Sequence, residues 1–272
     1  MTAGDEYRLL FAKADDLLSR AERGEVAVSA FLNPAEAHYL AKYLAGARAI
    51  SRIVFFGGYR GATRTRAFFL PDYILDLVED EENDEREKLI LSYIAEDAAK
   101  AVSAVRIKGS GYRTLSHRDY LGSILALGIE RHVVGDIAVL SDNEAIVFAD
   151  AKIAEYIVQT LSKVASDDVK CTKTEPDGDF TVPENAEDIV ISAASNRIDC
   201  IVASLAKCSR EAAKDLVKSG AVSADYEEIS DPDKKIGAGT IVSVRGTGKF
   251  RILDEGTKTK RGRLKIAARK FR

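Results

Sequence analysis

The chain has 272 residues, 46% hydrophobic and 31% charged, with no Trp, a single Met and a formal net charge of −3. That length holds two domains or three small ones, and its longest uncharged apolar stretch, Tyr120 to Ile129, is about half of what spans a bilayer. "MTAGDEYRLL" lacks the basic start and apolar core of a secretory signal, and three cysteines without a C-x-x-C pair speak against a disulfide framework and a zinc site, so a cytoplasmic protein without metal or cofactor is expected.

An amphipathic helix is expected from Tyr7 to Ala21, with Leu10, Ala14, Leu17, Leu18 and Ala21 at helical spacing. "FLNPAEAHYLAKYL" (31–44) restarts a helix, with Asn33 as its N-cap and Pro34 at its first position. "SRIVFFGG" (51–58) and "TRTRAFFLP" (63–71) read as two strands joined by a turn at Gly57, Gly58 and Gly61. Arg64 and Arg66 share a face of the second strand, which is either plain solvated surface or a secondary contact for RNA. "EDEEND" (79–84) repels itself and reads as the end of a first domain, residues 1–78.

The middle segment, residues 79–175, reads helix (84–99), strand (101–108), helix (117–127), two strands (136–141 and 144–149), helix (150–164) and a short strand (168–173). This order is compatible with a ferredoxin-like or RRM-like sheet carrying its helices on one side. Within it, His117-Arg118-Asp119 imitates the start of a protein-kinase catalytic loop. The kinase loop needs an Asn five residues after its Asp, and Ile124 stands there. Ser116 followed three positions later by Asp119 is instead a capping-box variant. Leu121, Ile124, Leu125 and Gly128 then form the packed face, and His117 and Arg118 lie in an exposed first turn where they could touch a partner.

Other enzyme signatures fail too. "RGTGKF" (245–250) has Ser243 where a phosphate loop needs its first glycine, and Phe250 follows the lysine. "GSGYRT" (109–114) lacks the third glycine of a dinucleotide fingerprint. No catalytic residue is assigned, although scattered acids could still form a site.

"KTEPDGDFTVPENAED" (173–188), with Pro176, Gly178 and Pro183, reads as an exposed connection, and residues 176–188 are taken as the linker to a C-terminal module, residues 189–272. Charge divides here. Residues 195–272 hold 18 Lys+Arg against 10 Asp+Glu, a net of +8, which leaves 22 against 33, a net of −11, before them. From Arg245 onward there are 11 basic and 2 acidic residues, a net of +9. An acidic body with a basic end suggests a polyanionic partner for that end.

In the module, Ile198, Ile201, Val202, Leu205 and Ala206 stripe one helix, with Ser195 as a candidate cap. Ser209 caps a second, whose Ala212, Ala213, Leu216 and Val217 face inward and whose Arg210, Lys214 and Lys218 line one side. Gly220 ends it and "AVSA" begins a strand. "GAGTIVSVRGTGKFRIL" (237–253) reads as a hairpin with Arg245, Gly246, Lys249 and Arg251 around its turn, where small residues and cations suit phosphates. Phe250 is either a core aromatic or a surface for base stacking. "KTKRGRLKIAARKFR" (258–272) adds a strand flanked by cations.

Arg197-Ile198-Asp199, Ser209-Arg210, Lys214, Gly220-Ala221-Val222, Gly237 and Val244-Arg245-Gly246 together resemble the S4 domain, an RNA-binding fold. Val222-Ser223-Ala224-Asp225 departs from the V-x-V-N-G common in such domains. "FLNPAEAHYLAKYL", "FFGGYRGATRTRAFFLPDY" and above all "LSHRDYLGSILALGIERHVVGDI" resemble the YlmH family across essentially the whole chain. The resemblance implies an α+β protein in three parts: a small N-terminal α/β domain, an RRM-like (ferredoxin-like) middle and a C-terminal S4 domain. It implies a non-catalytic factor binding rRNA of the large ribosomal subunit and peptidyl-tRNA in rescue of stalled translation, and nothing in the sequence demands more than a monomer. Arg197, Lys207, Ser209, Arg210, Lys214, Lys218, Arg245, Gly246, Lys249 and Arg251 are the expected RNA contacts, with His117, Arg118, Arg64 and Arg66 as secondary ones. An S4-bearing pseudouridine synthase would need a G-R-L-D-type loop, and the one similar string, Arg197-Ile198-Asp199, belongs to the S4 pattern itself. A cell-division scaffold with RNA affinity stays open.

Overall fold

The computed structural model describes residues 7–176, 180–182, 186–259 and 262–271. The chain forms two compact units, residues 1–182 and 183–272.

The first unit opens with α1 (Arg8–Glu22), β1 (Ala27–Val28), α2 (Pro34–Gly46), β2 (Ile53–Phe56) and β3 (Arg66–Phe69). Asn33 Oδ1 accepts from the backbone N–H groups of Ala35 (2.9 Å) and Glu36 (3.0 Å), and the Glu36 carboxylate accepts in return from Asn33 N–H at 2.7 Å. This reciprocal cap, with Pro34 pre-set for the first turn, starts α2 where the sequence places it. The three strands pair antiparallel in the order β1-β3-β2.

Next come α3 (Asp72–Asp76), α4 (Asn83–Tyr93) and α5 (Ala95–Ala101). The single helix expected over 84–99 is broken at Ile94 (φ −98°, ψ 16°), whose side chain is fully buried. Val78 is buried as well and Asn83 already belongs to α4, so the acidic run leaves only 79–82 between elements. One apolar cluster extends from Phe31, Phe68 and Val78 to Ile90, Ile94 and Phe148, across the division at 78/79 read from the sequence.

The unit continues with β4 (Val102–Gly109), α6 (His117–Leu125), β5 (Val134–Ser141), β6 (Glu144–Asp150), α7 (Ala151–Thr160), β7 (Lys163–Val164) and β8 (Asp167–Thr174). All five strands pair antiparallel, in the order β5-β6-β4-β8-β7. Val105, Ile107, Val147 and Ala149 pack with Tyr120 and Ile124 of α6 and with Ala154 and Ile157 of α7 on one face. Ala104, Ile146 and Phe148 point from the other face into the N-terminal cluster. Ser116 and Asp119 form the reciprocal cap of α6. Its buried residues are Tyr120 and Ile124, while Gly128 is exposed in a turn at φ +83° and does not belong to the packed face.

The second unit contains β9 (Ala186–Ala193), α8 (Ile198–Leu205), α9 (Arg210–Lys218), β10 (Val222–Ala224), β11 (Glu227–Glu228), β12 (Ile241–Val244), β13 (Gly248–Ile252), β14 (Thr257–Lys258) and β15 (Leu264–Phe271). Among the described residues they form one sheet, β11-β10-β12-β13-β15-β14, with β9 also paired along β15 from Ala186↔Phe271 to Ala193↔Leu264. The linker expected at 176–188 therefore ends in a strand, and its Phe180 and Val182 pack on the core of the first unit. Its residues 177–179 and 183–185, Gly178 and Pro183 among them, lie outside the described residues, as do 260, 261 and 272 of the basic end. Val242, Val244, Phe250, Ile252, Ile266 and Ala268 form the inner face with Ile201, Val202 and Leu205 of α8 and Ala213 and Val217 of α9. Ala212 is exposed, outside the packed stripe expected of it.

Candidate nucleic-acid interface

The helical layer of the second unit is organised by one side-chain cap and a buried carboxylate. Ser209 Oγ accepts from Ala212 N–H at 3.1 Å and starts α9, so this hydroxyl is occupied by capping. The first helix is not capped by Ser195; its N-cap residue is Arg197, and Ser195 Oγ accepts from Arg197 N–H at 3.4 Å, outside the helix. Asp199, fully buried in the first turn of α8, accepts from Arg197 Nε (3.1 Å) and Nη2 (2.9 Å) and from Arg210 Nε (2.9 Å). Burial by itself raises this carboxyl; the hydrogen bonds from Arg197 and Arg210 outweigh it and hold the group at about 2. Arg197 also pairs with Asp233. The Arg-Ile-Asp string is thus a lock between the two helices and the loop before Lys235. Arg197, expected as a phosphate grip, is spent on that lock.

Arg210 gives one N–H to the lock and stays 48% exposed at its side chain. Lys214 pairs with Glu211 at 3.0 Å, and Lys218 is exposed one turn further on. Lys207 precedes them, exposed at φ +52°. At the other end Arg245 N–H donates to Ala221 C=O at 2.9 Å, which seats the β12–β13 turn against the end of α9. Gly246 supplies the positive φ (+78°) that this turn needs. Lys207, Arg210, Lys214, Lys218 and Arg245 therefore follow a helix about 13 Å long from one end to the other.

Lys249 and Arg251 do not join them. They alternate along β13 with buried Phe250 and Ile252, so they point away from the helices. Phe250 is 2% exposed and is a core aromatic. On the helix-free face, Lys249 Nζ lies 4.7 Å from the Tyr226 ring centre and 5.7 Å from that of Phe271. Arg251 Cζ lies 5.3 Å from the Phe271 ring centre.

In the first unit, His117 and Arg118 are exposed in the first turn of α6, as the cap predicts. Partial desolvation of the ring and then nearby Arg131 lower the His117 titration, against an upward pull from Asp136. Arg64 and Arg66 do not share a solvated face. Arg64 donates to the carbonyl of Val134 (3.1 Å) and reaches those of Phe31 and Arg131 (3.4 Å each). Arg66 donates to Ser29 and Ala101 carbonyls (2.6 Å each) and to Asp150 (3.0 Å), with 12% of its side chain exposed. Both are internal clamps rather than open cations. Sequence reading also missed Asp136, which accepts from Tyr59 O–H (2.7 Å), Thr63 N–H (2.6 Å) and Arg64 N–H (3.0 Å) and so fixes the glycine-rich loop. The Gly-Asp-Ile string was the available signal, but its partner lies more than seventy residues earlier.

Residues 100–177 match the family model described as "Putative RNA-binding domain in YlmH". That span covers β4 to β8 and places this part of the chain in a class of RNA-binding domains. The chain is also 29% identical over 218 residues to the Ribosome-associated protein quality control protein P2 of Bacillus subtilis (strain 168), covering 79% of this chain and 76% of that protein. By these two matches the chain is similar to YlmH-type RNA-binding proteins. Neither match names an enzyme. Among solved structures, the cell division protein ylmH from Streptococcus pneumoniae is similar with a TM-score of 0.45 and 17% identity, covering 64% of this chain and 93% of that one.

Proposed function

We propose that the protein is a non-catalytic RNA-binding factor that docks on the large ribosomal subunit and contacts rRNA and tRNA during rescue of stalled translation. The observation that carries this reading is the run of exposed Lys207 just before α9, exposed Arg210 and Lys218 and partly exposed Lys214 along it, continued by Arg245, in a part of the chain with net charge +8. Such a stripe neutralises phosphates and suits folded RNA, which is largely read by shape. A helix pair packed on a mainly antiparallel sheet supports reading residues 189–272 as an S4 domain. The order β-α-β-β-α-β with its sheet sequence β5-β6-β4-β8 supports an RRM-like middle domain. The name of the Bacillus relative supports the ribosomal setting. The action is positional: charge-based docking holds RNAs in place, and a monomer in the cytoplasm suffices for it.

The test is recovery of the tagged protein from its own cells at moderate salt, followed by sequencing of the co-purified RNA. Large-subunit rRNA together with tRNA, and little small-subunit rRNA, is the expected result. One short rRNA segment without tRNA would point to a modifying enzyme, and no RNA would point to a scaffold; either overturns the proposal.

A further inference from the structure

The helix-free face of the second unit's sheet presents a different chemistry from α9. Reading across β13 and β15, Lys249 stands opposite Phe271 and Arg251 opposite Arg269, so these four side chains share one face. Tyr226 closes one side of the group from the β10–β11 turn, held there by Lys249 Nζ at 3.1 Å from its hydroxyl. Tyr226 and the preceding Asp225 both take left-handed backbone angles (φ +68° and +47°). Two successive non-glycine residues in that region are strained, and the turn they form aims an aromatic ring at the sheet where a glycine would leave nothing. On the adjacent strand β9, Val190 is 70% exposed on the same face. Aromatic planes interleaved with cations fit a base on the ring and its phosphate on the cation. An acidic peptide would use the cations but has no need of the rings.

We infer that this sheet face, built on Tyr226, Lys249, Arg251 and Phe271, is a second RNA site that stacks unpaired bases of a single-stranded segment, separate from the phosphate grip along α9. This rests on the RNA-binding reading of the second unit and adds to it: opposite faces of one sheet would hold two segments of RNA, one folded and one single-stranded.

The test uses the full chain and two fluorescent RNAs, a ten-nucleotide oligoadenylate and a stable hairpin. The variant Tyr226→Leu/Phe271→Leu keeps apolar volume and removes the stacking planes. It should bind oligoadenylate roughly tenfold or more weakly, the scale of losing one or two stacked bases, and the hairpin as wild type does. Lys214→Glu/Lys218→Glu should do the reverse. Because a variant could fail to fold, wild-type protein is also photo-crosslinked to a thiouridine-substituted single strand and the modified peptides are mapped. Crosslinks at Tyr226 or within 264–271 support the site. Crosslinks confined to α8 and α9, no binding of the single strand by wild type, or equal loss of both RNAs in the leucine variant would overturn it. Preference of the face for an acidic peptide over oligoadenylate would overturn it too. Failure of wild type to bind the hairpin would instead strike the phosphate grip alone.

Discussion

Both large sheets carry helices on one face, and they treat the other face in opposite ways. In the first unit the free face of β4 and β6 is sealed: Phe148 is fully buried, with the rings of Tyr59 and Phe180 centred 4.8 Å and 5.9 Å away. Gly58, at φ +102°, lies so close that a Cβ there would meet the Phe148 ring. The central aromatic of this sheet is therefore unavailable for stacking a base, although the matched RNA-binding family covers the same strands. In the second unit the corresponding face is open, with Val190 exposed and cations lying over Tyr226 and Phe271. A sheet covered on both sides is core; one covered on a single side keeps a surface that can recognise something. The open sheet lies in the basic part of the chain.

The sealing can be tested most severely at its centre. Phe148→Ala removes a ring packed on all sides and should cost about 3–5 kcal/mol of stability by urea unfolding. A loss below about 1 kcal/mol would mean that the face is not closed. A smaller effect is expected from the lock beneath α8. The Asp199 carboxyl sits at about 2 when folded against an ordinary 3.8. Its stabilisation is complete above about pH 4 and is lost as pH falls through about 2, an amount of roughly 2 kcal/mol. Asp199→Asn should remove most of that dependence from the second unit's acid unfolding. An unchanged acid transition would show that Arg197 and Arg210 do not hold the carboxylate. The smallest effect belongs to the open face: Val190→Lys should shift stability by no more than about 0.5 kcal/mol. A cost of several kcal/mol would show that this face is covered.

Local chemistry was legible and distant pairing was not. The caps at Asn33, Ser116 and Ser209, and the stop at Gly220, depend on residues within a turn of one another, and the structure has them where the pattern places them. The helix-strand order of the middle segment is legible from hydrophobic period, except that its first helix breaks at Ile94 and its last, expected to 164, ends at Thr160 before the short strand β7. Arg64 and Arg66 looked like surface cations because their partners lie up to 84 residues away. For the same reason the linker expected at 176–188 overlaps the first residues of β9: the polar, alternating "AEDIVISA" becomes a strand only when β15, some eighty residues later, pairs with it. Arg197 was misjudged more locally. Its acceptor is two residues away, but only the fold shows that Asp199 is buried and needs two guanidinium groups to remain charged. The candidate cations could be gathered from the sequence; their division between two faces of one sheet needed the strand register.

The central claim, that α9 grips RNA phosphates, is tested most directly by salt dependence. The affinity of wild type and of Lys214→Glu/Lys218→Glu for a structured RNA would be measured between 50 and 200 mM salt, concentrations over which phosphate contacts lose affinity by orders of magnitude. These two lysines are chosen over Arg210 because Arg210 also holds Asp199. The account predicts weaker binding in the variant and a log–log salt slope flattened by roughly 1.5, the worth of two phosphate contacts. An unchanged affinity and slope would contradict it.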